Sequence, residues 1–164
     1  MAMIGLLYPR EILRRLMDGR KSFEKPEFYR DAARQSGVNI VFFSLPDIDW
    51  GSGSVLVWDG ARPVRRRVSL PEVIINRTRS NKPGDKKKVK RLLEMGRTVF
   101  NEHNVYSKLK IHRQLSADER LLPHLPETAT VSRKTVGRLL NENGCLFLKP
   151  VRASVGNGII RVRK

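Results

Sequence analysis

The sequence predicts an α/β domain built on a parallel sheet, followed by the opening of a second, α+β module. Three observations carry this. The chain begins with the order of a βαβ unit: an apolar run, amphipathic helical spacing, then a β-branched and aromatic run. Forty per cent of the 164 residues are hydrophobic, enough to build a core for one domain or two small ones. Near residue 101, around RTVFNEHN, the pattern changes to helix, extended segment, helix and a pair of strands. A boundary is therefore expected there, with one module over 1–101 and another over 102–164.

Met3–Tyr8, MIGLLY, is a short continuous apolar run and reads as a buried strand. After Pro9, apolar residues at Ile12, Leu13, Leu16 and Met17 follow helical spacing, and Gly19 is a stop. Lys25–Gly37 reads as a second helix, with Pro26 suited to its first turn and Gly37 to its C-terminal cap. VNIVFFSL is a second buried strand. SVLVWDGARPVRRRV predicts a hairpin turning at Asp59-Gly60. EVIINR is a further short strand, joined by the polar TRSNKPGD to the basic helix DKKKVKRLLEMG. That helix sets Val89, Leu92 and Leu93 on one side and lysines on the other.

In the second module, VYSKLKIHRQL predicts a helix and LPETATV an extended segment. SRKTVGRLLNENG is a helix opened by Ser132 as N-cap and closed by Gly144. The strand CLFLKPV, a loop of small residues and the strand GIIRVRK complete the sequence.

Charge is the strongest compositional feature: 33 basic against 16 acidic residues, a net of +17. Between Arg62 and Arg97 stand thirteen Lys or Arg and three Asp or Glu. Such a field attracts polyanions, nucleic acid among them, although a solvated basic face gives the same count. No RRM-type run, zinc-finger spacing or helix-turn-helix accompanies it. No apolar run reaches the ~18 residues that predict a membrane span. The opening apolar patch has its basic residues after it, the pattern of a first strand and not of a signal peptide. The single cysteine, Cys145, sits in the apolar run CLFL and is expected to be a small buried hydrophobe in a reducing, cytosolic setting. His103, His112 and His124 lack metal-ligand spacing with one another or with Cys145. Glu127 is assigned a local structural role. Ser154 has no identifiable base nearby and is not expected to be a nucleophile.

Lys149 ends the apolar strand, immediately before Pro150. A lysine there either snorkels to solvent or delivers charge into a cleft. The following RASVGNG places Gly156 and Gly158 around Asn157. Small residues let backbone N–H groups approach an anion, and an adjacent lysine neutralises phosphate charge. A glycine hairpin is equally a plain turn. The loop is not a P-loop, and a strand follows it where the dinucleotide fingerprint requires a helix.

Read together, IGLLYP, Asn76-Arg77, the FN…K segment, LPET and KP…S-G-GI occur in an order that resembles the YheC/YheD group of endospore coat-associated ATP-grasp proteins. The resemblance implies a pre-ATP-grasp, Rossmann-like domain over 1–101. It also implies an incomplete ATP-grasp N-terminal lobe over 102–164, truncated before the second lobe. Lys108 and Lys149 would reach the phosphates of ATP, beneath a loop formed by Ala153, Ser154, Val155, Gly156, Asn157 and Gly158. Ala153 departs from the usual glycine of that loop, and Asn157 stands where the nearest relatives tend to carry a basic residue. ATP with Mg²⁺ would activate an unidentified carboxylate as an acyl phosphate for attack by an amine. The metal ligands are expected from later residues, so these 164 residues alone are not expected to ligate. An unfinished sheet would favour self-association, and the group points to a cytoplasmic protein with a spore-coat role. A stand-alone basic module, binding nucleic acid or another polyanion through Arg62–Arg97, is the alternative reading.

Overall fold

Alternate side chains of the first strand feed two different cores, and this sets the architecture of the first hundred residues. The computed structural model describes residues 2–61, 65–80, 82–153 and 156–164. The chain divides into two compact units, Met1–Asn104 and Val105–Lys164.

In the first unit, β1 (Met3–Leu7) leads through α1 (Arg10–Met17) and α2 (Pro26–Gln35) to β2 (Asn39–Phe43). A 3₁₀ turn at Leu45–Asp47 and the two-residue β3 (Ile48–Asp49) follow. Then come β4 (Ser54–Trp58), β5 (Arg65–Ser69), β6 (Val73–Asn76), α3 (Pro83–Glu94) and β7 (Thr98–Phe100). The sheet runs β3-β4-β2-β1-β6-β7, with β5 paired to β4. β1 is parallel to β2 and to β6, and β6 is parallel to β7. β4 is antiparallel to β2, β3 and β5. A parallel half is thus extended by an antiparallel one, giving a mixed α/β sheet.

The period-two alternation of a strand sends its side chains to opposite faces. Leu6 and Tyr8 join Phe42, Trp58 and Leu13 on the α1 side. Leu7 joins Val41, Phe43, Ile74, Val89 and Leu92 on the α3 side. On the first face Tyr8 stacks on Phe42 at 5.9 Å, and Phe42 meets Trp58 at 5.6 Å. Val89 and Leu92 are buried as their spacing predicts, whereas Leu93 lies at the exposed margin of α3.

Gly5 is required by its neighbours. A Cβ there would lie 2.6 Å from Cε1 of Phe43 and 3.0 Å from Cγ of Pro71. Neither atom is the end of a flexible chain, so Gly5→Ala is expected to cost about 1–3 kcal/mol through overpacking. Urea denaturation of the full chain measures it, and an unchanged midpoint would show that the β1–β2 contact is looser than described.

The hairpin differs from expectation in its turn. The register from Ser54↔Ser69 to Trp58↔Arg65 leaves residues 59–64 between the strands. Asp59-Gly60 therefore opens a longer connection instead of forming a two-residue turn. Gly60, at φ +82°, lies where a Cβ would come 2.8 Å from Phe42 and Arg30 side-chain atoms.

The second unit contains α4 (Lys108–Leu115), α5 (Arg133–Asn143) and the antiparallel pair β8 (Cys145–Leu148) and β9 (Ile160–Arg163). A 3₁₀ turn at Leu122–His124 and an extended 126–131 connect the helices. Ser132 caps α5: its Oγ accepts from Thr135 N at 3.1 Å, while Ser132 N donates to Thr135 Oγ1 at 2.9 Å. Gly144 ends the helix at φ +67°. Leu139 is buried here, whereas Phe147 and Ile160 of the strand pair are more than half exposed.

Candidate functional site

The strand pair of the second unit is two-faced by register. Cys145 pairs with Arg163 and Phe147 with Arg161, so these four share one face. Leu146 and Leu148, paired with Val162 and Ile160, occupy the other. On the first face the guanidinium carbon of Arg161 lies 5.8 Å from the Phe147 ring centroid. Arg161 Nε also donates to Cys145 Sγ at 3.4 Å. Cys145 is consequently half-buried beside a cation, not the enclosed hydrophobe its apolar run suggests. The reason is that a strand pair with one open face cannot bury both sides of CLFL.

Lys149 follows β8 directly and is exposed. The next segment is held by Lys108 at the start of α4. Lys108 N donates to Val151 O at 3.1 Å, and its Nζ donates to Pro150 O at 3.2 Å and to Ala153 O. The structure thus brings Lys108 to the segment that Lys149 opens, with the ammonium engaged by backbone carbonyls. Both lysines line one cavity of about 580 Å³, walled by α4, the extended 126–131, α5 and β8. Further on, Gly156 and Gly158 have φ of +78° and +70°. A Cβ on Gly158 would meet Pro150 Cγ at 2.9 Å, so the turn closes over that proline only with glycine there. Asn157 between them is exposed, and Ala153 is half-buried. Ser154 and Val155 lie outside the described residues.

Glu127 ties the LPET segment to the helix beside it. Arg138 Nη2 donates to Glu127 Oε1 and Arg138 Nη1 to Glu142 Oε2, each at 2.7 Å. The hydrogen bond to Glu127, and then its charge, hold the Arg138 guanidinium above its ordinary pKa. The pair fixes one wall of the cavity and needs no catalytic role for Glu127.

A family model described as YheC/D like ATP-grasp matches residues 96–164, a region that contains both lysines, LPET and the glycine turn. The likeness to YheC/D-like ATP-grasp proteins is thus found over residues 96–164. The chain is also 24% identical over 137 residues to the endospore coat-associated protein YheD of Bacillus subtilis (strain 168). That alignment covers 79% of this chain and 30% of YheD, so the chain matches under a third of that relative's length.

Before residue 96, the basic window is divided between an edge strand and a helix. Arg65, Arg66 and Arg67 lie on β5, and Lys86, Lys87 and Lys90 are exposed on α3. Several of its cations are paired: Arg65 with Asp47 and Arg77 with Glu24, both at 2.7 Å, and Lys90 with Glu94 at 3.5 Å. Arg91 lies 4.9 Å over the Trp50 ring. A charged β5 also discourages pairing along an open sheet edge. His103 meets Glu102 at 2.9 Å and His112 meets Ser116 at 3.4 Å. Among the described residues, no three His, Cys, Asp or Glu side chains gather as metal ligands would. Also among them, no helix is long and apolar enough to cross a membrane.

Proposed function

We propose that this chain supplies the amino-terminal domain and first nucleotide-binding segment of an ATP-grasp, carboxylate–amine ligase-like protein. One observation carries the reading. Lys149, exposed at the end of β8, precedes a turn that demands Gly156 and Gly158, and it lines the same cavity as Lys108. Residues 1–101 would be the pre-ATP-grasp, Rossmann-like domain, which the parallel order β2-β1-β6-β7 supports. Residues 102–164 would form the first part of the ATP-grasp fold.

In such a protein Lys149 neutralises phosphate charge, and the backbone of Ala153 and of Gly156–Gly158 covers it. Lys108 would reach phosphate by exchanging its carbonyl partners for phosphate oxygens. The γ-phosphoryl group passes to a carboxylate oxygen and ADP leaves. The amine nitrogen then attacks the acyl carbon, the phosphate departs with the C–O bonding pair, and the amine loses a proton. ATP-grasp proteins generally use Mg²⁺, but the described carboxylates are not gathered to hold it, so no step is assigned to metal ligation by these residues. The name of the Bacillus relative extends the proposal to a protein associated with the endospore coat.

Calorimetric titration of the 164-residue chain with MgATP tests this reading. Loss of a charge-assisted contact worth about 1.5–3 kcal/mol predicts about a tenfold to hundredfold weaker ATP binding in Lys149→Ala. Equal affinity of the two proteins would remove Lys149 from the site.

A further inference from the structure

The four buried polar or charged residues among those described are Glu24, Ser44, Asn76 and Thr78, and three of them gather at one place in the first unit. Asn76 is the last residue of β6, and Thr78 follows it by two. Thr78 N and Oγ1 donate to Asn76 Oδ1 at 2.9 and 2.7 Å, and Asn76 Nδ2 donates to Asn101 O at 3.1 Å. Asn101 holds φ +58° just beyond the end of β7. Glu24, from the α1–α2 connection, accepts from Tyr8 OH at 3.0 Å and from Arg77 Nη2 at 2.7 Å. Tyr8 directly follows β1, and Arg77 directly follows β6.

The place is defined by topology. The chain leaves β1 toward β2 on one side and leaves β6 toward β7 on the other, so the direction of winding reverses between these adjacent strands. In open α/β sheets a reversal of this kind leaves a crevice beyond the carboxyl ends of the two strands. Burying a carboxylate is costly, and a buried ion pair is seldom retained for stability alone. Here the pair has a geometric consequence. Glu24, 6% exposed, fixes the Arg77 guanidinium through one Nη2 contact. The Arg77 side chain stays 35% exposed, and its buried Nε has no hydrogen-bond partner. A guanidinium held in this way keeps N–H groups for a second, bidentate oxyanion. Lys25 beside Glu24 and Arg79 beside Thr78 are exposed cations and bias the surroundings toward anions.

We propose that the crevice between the carboxyl ends of β1 and β6 binds the oxyanion of a small molecule, carboxylate or phosphate, on Arg77 as held by Glu24. The site lies wholly in the Met1–Asn104 unit and is independent of the nucleotide reading. The test is an amide-resolved NMR titration of the full 164-residue chain with succinate and, separately, with inorganic phosphate, at constant ionic strength. Saturable shifts centred on Tyr8, Arg77 and Thr78 are expected. Saturation by succinate alone assigns a carboxylate, and saturation by phosphate alone a phosphate; saturation by both assigns a general oxyanion site. Arg77→Lys keeps the charge but loses the fork and should weaken the saturating anion at least tenfold, with the dispersion of the spectrum unchanged. Unchanged affinity in that variant would overturn the proposal. So would shifts that never saturate, or that centre on the α3 lysines. Should Arg77→Lys lose its dispersion, the parent titration decides by those same criteria.

Discussion

Phe43→Ala is expected to destabilise the Met1–Asn104 unit by about 3–5 kcal/mol. Phe43 is fully buried on the α3 face of the sheet, in the cluster with Leu7, Ile74 and Leu92. Large-to-small changes cost least where neighbours can collapse into the space, and this site resists collapse. The Phe43 ring edge lies against Gly5, which has no side chain to move inward. The backbone is fixed along β1, by the β1–β2 register and by Tyr8 N donating to Phe43 O at 2.8 Å. Both tryptophans, Trp50 and Trp58, lie in this unit, so urea unfolding followed by tryptophan fluorescence reports on it selectively. Phe100→Ala is the control: Phe100 is 58% exposed, and its loss should move the midpoint little. Equal effects from the two substitutions would contradict the core as described.

What the sequence reveals follows the range of each interaction. Continuous apolar runs and helical spacing are local signals, and they place β1, β2, α1 and α2 within a residue or two. Ser132 and Gly144 likewise announce both ends of α5, because a cap is made with residues three or four positions away. The antiparallel half of the sheet is less legible. A two-residue strand such as β3 has no periodicity to detect, and the length of the β4–β5 connection is set by register. The candidate phosphate site is legible as a motif, but the partners of the Lys108 ammonium are not, since Pro150 and Ala153 lie more than forty positions away. Of the polar cluster at β1 and β6, Tyr8 and Asn76-Arg77 stand in motifs the sequence shows, but Glu24 and its contacts with them give no sequence signal. Glu24 sits in KSFEKPE, which reads as an ordinary charged connection, and Arg77 is 53 positions distant. The parallel pairing of β1 with β6 sets Tyr8 and Arg77 side by side to receive it.

Glu24→Ala carries the second large expected effect, about 2–4 kcal/mol at neutral pH. Removing the carboxylate strands two groups at once. The Tyr8 hydroxyl, in a residue only 1% exposed, loses its acceptor, and an unsatisfied buried hydroxyl costs about 1–3 kcal/mol. Arg77 loses its counter-charge, but its side chain reaches solvent, so that part falls below the 3–5 kcal/mol of a fully enclosed pair. Glu24→Gln can still accept from Tyr8 and should cost less. The same contact has a signature at alkaline pH. Burial first, and the Glu24 charge after it, push the Tyr8 phenol well above its ordinary value near 10. Its contribution is therefore complete below about pH 10. Above that the unfolded chain ionises Tyr8 while the folded chain cannot, and stability falls as pH rises. In Glu24→Ala burial remains the main cause of the rise and the Glu24 contributions are gone, so the interval over which stability falls is shorter. Urea midpoints at neutral pH read the lost acceptor, and a series of alkaline pH values reads the phenol. The parent chain should go on losing stability to higher pH than the variant, whose loss levels off where its folded phenol ionises. Levelling off at the same pH in both would mean that Glu24 does not bear on the Tyr8 phenol, and the cluster would have to be redrawn without that bond.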